Sequence, residues 1–187
     1  MAVYCDAIRP TVALSAPMLS LADSASFLWR WEIYDAAPAL GTEWSEVAAH
    51  ARQHFPRASL AFADLHAALT EAATGDQASL QQRIAGLQVL VDAGGLPAGE
   101  VAPALCAAIA RLARGEAREA VDGLEAALAD LPRIGGSHAQ REVFDDTLIV
   151  AELRSGQRDR AAALLRARLA RRPSARDRMW LQSCVQQ

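Results

Sequence analysis

Two glycines head the same series of side chains, and that repetition narrows what the chain can fold into. Gly115 is followed by Ala120, Leu124, Ala127 and Pro132; Gly156, 41 residues later, is followed by Ala161, Leu165 and Pro173 at the same offsets. Each series reads as a turn glycine, a small residue where two helices cross, a large apolar residue, a second small residue and a terminating proline. Arg168 breaks the second copy, standing where the second small residue belongs. A helical hairpin that recurs in this way cannot bury its apolar face alone, so it must stack on its neighbours. Gly75 lies 40 residues before Gly115, with the extra length in GGLPAG, and Gly41 lies 34 before Gly75 with poor identity. The first half therefore reads as a degenerate version of the same stack, and the segment Pro132 to Ser137 as a loop inserted between hairpins.

Composition agrees with helices. Of 187 residues 52% are hydrophobic, enough for a real core, while only 5% are aromatic and alanine is abundant. That balance favours close-packed helices over sheets. All 19 basic residues are arginine, which removes mechanisms that need a lysine ammonium, such as a Schiff base or a Walker A lysine. The arginine bias itself reads as genomic composition. A net charge of −3 gives no general pull toward nucleic acid or an anionic membrane, and no segment has the length and apolarity of a membrane span. Cys5, Cys106 and Cys184 form neither a CxxC pair nor a disulfide framework, which suits a reducing cytoplasm.

Read in order, residues 1–22 form an irregular N-terminal segment, interrupted by Pro10 and Pro17, and residues 23–187 a single α-helical repeat domain. Within it 23–97 holds the degenerate hairpins and 98–187 the clearer ones. VYCDAIRP resembles the tail of a helix, so the chain is expected to begin partway through a longer protein. Asp23 or Ser24 is placed to cap a helix through Ala36, with Phe27, Leu28, Trp31 and Tyr34 on one face and Trp29 and Ile33 widening it. Pro38 and Gly41 make a turn, and Thr42 caps a helix that stops at Pro56. Further helices follow at about 58–74, from Asp76 to Ala93, and from Glu100 onward, giving eight or nine and no strand. Ser137 and Gln140 have capping-box spacing, so a helix starts at His138. On it Val143, Phe144, Thr147, Val150 and Ala151 form a packing face, and His138, Arg141, Asp145 and Glu152 a charged stripe with Ile149 among them.

The series after Gly115 reproduces the second half of a tetratricopeptide repeat, whose usual period is about 34 residues. DSASFLWRWE, AFADLHA, IGGSHAQREVFDDTLIVAELR and ARLARRPSARDRMWL resemble the tetratricopeptide repeat protein 38-like family over nearly the whole chain, IGGSHAQR being the most specific motif. That resemblance implies tetratricopeptide-like helical-hairpin repeats stacked in a right-handed solenoid, and a further N-terminal block of repeats. It brings no catalytic activity, cofactor or ligand.

The candidate site residues gather near the inserted loop. Gly135 and Gly136 precede a helix N-terminus with Arg133, His138 and Arg141 beside them, a pattern suited to a carboxylate or phosphate. The plainer reading is that the glycines turn the chain and Arg141 pairs with Asp145 one turn on. His66 sits beside Phe62 and Leu69, which reads as a packed histidine with one hydrogen bond, or as half of an inter-helix pocket with His138 and Arg30. No metal-ligand spacing such as HExxH is present. Cys106 reads as a core thiol. Eight arginines between Arg158 and Arg178 read as a solvated face, since no aromatics interleave them. The leading expectation is a scaffold without catalysis or cofactor, whose concave face binds a protein or peptide partner through an acidic group. The alternatives are an enzyme or a small-molecule or anion binder using His66 and His138, and self-association through an open end of the stack.

Overall fold

The computed structural model describes residues 1–34 and 40–185, and it is all-helical, with no strand among them. Among the described residues nine α-helices follow one another: α1 Pro17–Ile33, α2 Thr42–His54, α3 Ala61–Ala73, α4 Gln77–Asp92, α5 Val101–Ala113, α6 Ala117–Leu128, α7 His138–Arg154, α8 Arg158–Arg171 and α9 Ala175–Val185. The expected end of the first helix at Ala36 and the turn at Pro38 lie outside the described residues.

Three interhelix turns repeat one geometry, and Gly94, at φ 67°, closes α4 in the same way, its amide reaching Val91 and that of Gly95 reaching Leu90. Gly75, Gly115 and Gly156 have φ of 71°, 83° and 79°, a backbone region in which a side chain would strain the turn. Behind each, the following amide reaches the carbonyl five residues back: Asp76 to Glu71, Glu116 to Arg111 and Gln157 to Glu152. The glycine amide closes a second bond, to Ala72, Leu112 or Leu153. This double closure satisfies the last carbonyls of α3, α5 and α7, and the next helix starts two residues after each glycine. Gly41 does not belong to the series. Its φ is −124° and it stands at the N-cap of α2, so Thr42, expected to be the cap, is the first helical residue.

Small residues set how closely the hairpins approach. A Cβ on Gly123 would come within 3.1 Å of the Ala108 methyl where α5 and α6 cross, and Ala120, Leu124 and Ala127 are buried on the same helix. The second copy buries Ala161 and Leu165, and it buries Arg168 as well.

The centre of the molecule is α3, buried at every residue from Ala61 to Ala72. It packs on α1, α2, α4 and α5. Leu65 and Leu69 are inaccessible to solvent, and each fully buried leucine contributes on the order of 1.5–3 kcal/mol. Its polar side chains are mostly answered locally. Asp64 accepts the amides of Ser59 and Leu60 at 2.8 Å each, which fixes the chain entering the helix. Asp64 and Glu71 also hold the buried Arg83 of α4, which donates to the Phe55 carbonyl.

The first helix departs from the sequence reading. It begins at Pro17, with proline in the first turn, six residues before the expected cap at Asp23. Proline has no amide to leave unpaired there and its ring presets φ, so the residue read as a breaker serves as a start. The added turn lets Leu21 and Ala22 join Ala25, Leu28, Trp29 and Ile33 in the core. Residues before it are not wholly irregular, since Tyr4–Ile8 forms a π-helical turn and Arg9–Thr11 a 3-10 turn. Besides its neighbours α2 and α3, α1 packs against α7, so the beginning and end of the hairpin series meet.

Candidate functional site

Where α1 meets α7, the structure gathers a cluster of buried and half-buried charges. Asp146 of α7 is fully buried and accepts Arg30 Nε at 2.6 Å, the Tyr34 hydroxyl at 2.7 Å, Arg168 Nη1 at 2.6 Å and Arg176 Nη2 at 3.2 Å. Asp177 of α9, also fully buried, takes a two-pronged contact from Arg168 at 3.1 and 2.9 Å. Its own amide is capped by Ser174 at 3.2 Å. The Arg176 guanidinium donates to Tyr34 and stacks over the Tyr34 and Trp180 rings, 4.5 and 5.3 Å from their centroids. Three guanidiniums and two carboxylates thus tie α1, α7, α8 and α9 together.

Beside them Trp29 Nε1 donates to the Thr147 hydroxyl at 3.0 Å, which donates in turn to the Val143 carbonyl at 2.7 Å. Burial alone would raise the Asp146 carboxyl, but Arg30, Arg176 and Arg168 around it hold it below the usual carboxylate range. Burial and the neighbouring Asp146 carboxylate push the Tyr34 phenol up. A phenol held protonated donates well and is a poor base, which fits a structural role.

His66 lies on the inner side of this cluster and is inaccessible to solvent. Its ring packs between Phe62 at 4.5 Å and Phe144 at 5.8 Å between centroids. Nδ1 donates to the Phe62 carbonyl at 2.7 Å, which leaves Nε2 a bare acceptor with no partner. Burial, and the Arg30 charge nearby, bring the imidazole down to about 4, so it is neutral near pH 7. A general base must reach its substrate directly or through one water, and this ring opens onto neither.

The inserted loop uses most of its own donors. The Ser137 amide reaches Gln140 Oε1 at 2.8 Å and the Gln140 amide reaches Ser137 Oγ at 3.3 Å, which completes the capping box. Arg141 donates to the carbonyls of Gly135, at 3.1 Å, and Gly136. The expected pairing of Arg141 with Asp145 is therefore replaced by an arginine clamp on the glycine carbonyls. Gly136, at φ 72°, lies against the Phe62 ring, into which any Cβ would run, so loop and His66 communicate by packing alone. Arg133 donates to the Pro97 carbonyl at 3.1 Å, and His138 is exposed. Of the sequence candidates, then, the structure brings Arg30 and His66 together and sets Arg133, Gly135, Gly136, His138 and Arg141 in a separate loop. Asp145, half-buried between the two groups, is raised by burial.

The α7 stripe is not a free charged face either. Glu152 is fully buried and raised by burial, with Arg160 Nε at 3.1 Å but no hydrogen bond of good geometry. Nor is the arginine-rich C-terminal stretch simply solvated: Arg160, Arg168, Arg172 and Arg176 are all in ion pairs.

Cys106 is buried in α5, which raises its thiol and makes it a poor nucleophile. Among the described residues no group of three or more His, Cys, Asp or Glu is arranged to hold a metal ion, and no helix is long and apolar enough to cross a membrane. Close to Arg133 the surface does open: a groove of about 470 Å³ is floored by Val91, Val101, Ala104 and Ala127 and edged by Glu100 and Asp130. No protein-family model matches the chain, and no solved structure matches it.

Proposed function

We propose that this chain is a non-catalytic helical-repeat scaffold that binds a protein or peptide partner. In this reading the hairpins are tetratricopeptide-like units of a right-handed stack, similar to the tetratricopeptide repeat protein 38-like family, working in the cytoplasm. The observation that carries the reading is the groove beside Arg133. It has an apolar floor and charged edges, the arrangement that takes an apolar side chain of a peptide and fixes its register by polar contacts at the rim. Arg133, set against the Glu100 and Asp130 carboxylates, is the cation the groove itself offers to an acidic residue of the partner, and the exposed His138 is a second one outside the groove's lining. The conspicuous buried groups support the same reading from the other side, because His66 is sealed between phenyl rings and the buried arginines are committed to Asp146, Asp177, Asp64 and Glu71. The enzyme alternative needs His66 and His138 on one cavity, and one ring is enclosed while the other faces solvent.

Fluorescence anisotropy with labelled peptides that combine leucine and glutamate tests the proposal. Arg133→Ala is expected to weaken binding roughly fivefold, as loss of a partly exposed ion pair does, and added salt should reproduce the effect. Binding unchanged in both Arg133→Ala and His138→Ala would refute it. Self-association is the competing reading, favoured by Val3 and Leu14, 62% and 86% exposed in the N-terminal segment. Light scattering separates the two, since a monomer mass at every concentration excludes self-association.

A further inference from the structure

A second cavity lies away from the groove and the charge cluster, under the N-terminal segment. It holds about 150 Å³ and is lined by Tyr4, Val12, Ser20, Ser24, Val47 and His50. Arg9 of the 3-10 turn and Glu46 of α2 form an ion pair at its mouth, which ties the segment down over α1 and α2. Two of the polar lining groups are committed. Ser20 donates to the Val12 carbonyl at 3.2 Å, and His50 donates through Nε2 to the Pro17 carbonyl at 2.9 Å.

Ser24 is different. It is 2% exposed, and its hydroxyl has no hydrogen-bond partner. A serine inside a helix can donate to the carbonyl one turn back, and this one does not. The Tyr4 hydroxyl is near enough to feel it, yet the two make no bond of ordinary geometry. A buried hydroxyl left without a partner forfeits the bonds it made to water, so a group in the cavity that answers it gains free energy on entering.

We propose that this cavity is a binding site for a small neutral molecule of one ring's size, carrying a single hydroxyl that bonds Ser24. Size follows from the volume, since a cavity of about 150 Å³ accommodates one benzene ring. Neutrality follows from the lining. Valines and the buried face of Tyr4 offer nothing to a charge, and Arg9 and Glu46 neutralise each other, so an ion would lose hydration without compensation. The hydroxyl follows from Ser24, the lining side chain left with a bond to make.

Phenol and toluene are the probes, titrated into the full chain and followed by amide chemical shifts. Wild type is expected to give saturable shifts with phenol at Ser24, Val47 and Tyr4. Ser24→Ala should weaken phenol roughly fivefold and leave toluene unchanged, the loss expected for one hydrogen bond. Val47→Phe, which fills the cavity, should abolish both. Absence of saturable phenol shifts in the wild type overturns the proposal without recourse to any variant. Equal weakening of phenol and toluene by Ser24→Ala, or undiminished binding in a folded Val47→Phe, overturns it too.

Discussion

His66 makes the stability of this protein depend on pH in a calculable way. In the unfolded chain the imidazole titrates at its ordinary value of 6.5, and in the folded protein burial and Arg30 bring it to about 4. The unfolded state therefore takes up the proton first. Stability is at its full value above the unfolded pKa, falls as pH drops from 6.5 toward about 4, and falls no further below the folded value. Each unit of separation corresponds to about 1.4 kcal/mol, so the whole effect is about 3 kcal/mol. Between about pH 7 and about pH 5 the linkage relation gives a loss of roughly 2 kcal/mol. For a chain of this length that lowers the melting temperature by roughly 4–8 °C. The structural origin is specific: Nδ1 is committed to Phe62, and a proton on Nε2 would have no acceptor among the two phenyl rings. His66→Leu removes the titrating group at similar volume. The assay is urea unfolding of both proteins over that pH range, and the quantity compared is the difference between them. Carboxyls raised by burial, among them Glu71, Asp145 and Glu152, titrate in both proteins and cancel. The reasoning fails if the difference stays constant across the range, because His66 would then be solvated or hydrogen-bonded at both nitrogens.

Two other substitutions grade the remaining polar features. Asp146→Asn leaves Arg168 and Arg176 with Asp177 alone and Arg30 with no carboxylate, and should cost about 3–5 kcal/mol, against less than about 1 kcal/mol for Glu142→Gln, which breaks the outer pair with Arg172; chemical unfolding of both variants checks the ranking. Gly136→Ala combines positive φ with collision against Phe62, whereas Gly115→Ala meets open space and pays only for its backbone, so thermal unfolding should place the loop variant clearly lower.

Features with local causes were legible from the sequence. The Ser137 to Gln140 capping box and the turns at Gly75, Gly115 and Gly156 depend on residues a few positions apart, and each appears where the spacing puts it, whereas Gly41 does not. Pro17 reads as a helix breaker yet starts α1, because proline ends one helix and starts another for the same reason, its missing amide. The charge cluster was out of reach: Arg30 and Asp146 are 116 residues apart, and no periodicity connects two helices that meet only after the hairpins have stacked. One sign of it was visible. Arg168 stood in a slot that its repeat reserves for a small residue, and burial there required carboxylates that the pattern could not name. Asp145, chosen from its place on the stripe, is the neighbour of the residue that matters, one position and about 100° away on the helix.

Asp146 and Asp177 join α1 and the last three helices into one unit, so that the buried polar cluster of the chain holds its architecture together. Native-state hydrogen exchange, read segment by segment, tests this most directly. The account predicts that protected amides of α1, α7, α8 and α9 open with a common free energy and that Asp146→Asn lowers all four together. Independent opening of α1, with α7 to α9 unaffected, would contradict it, since the ends of an unclosed repeat stack fray separately.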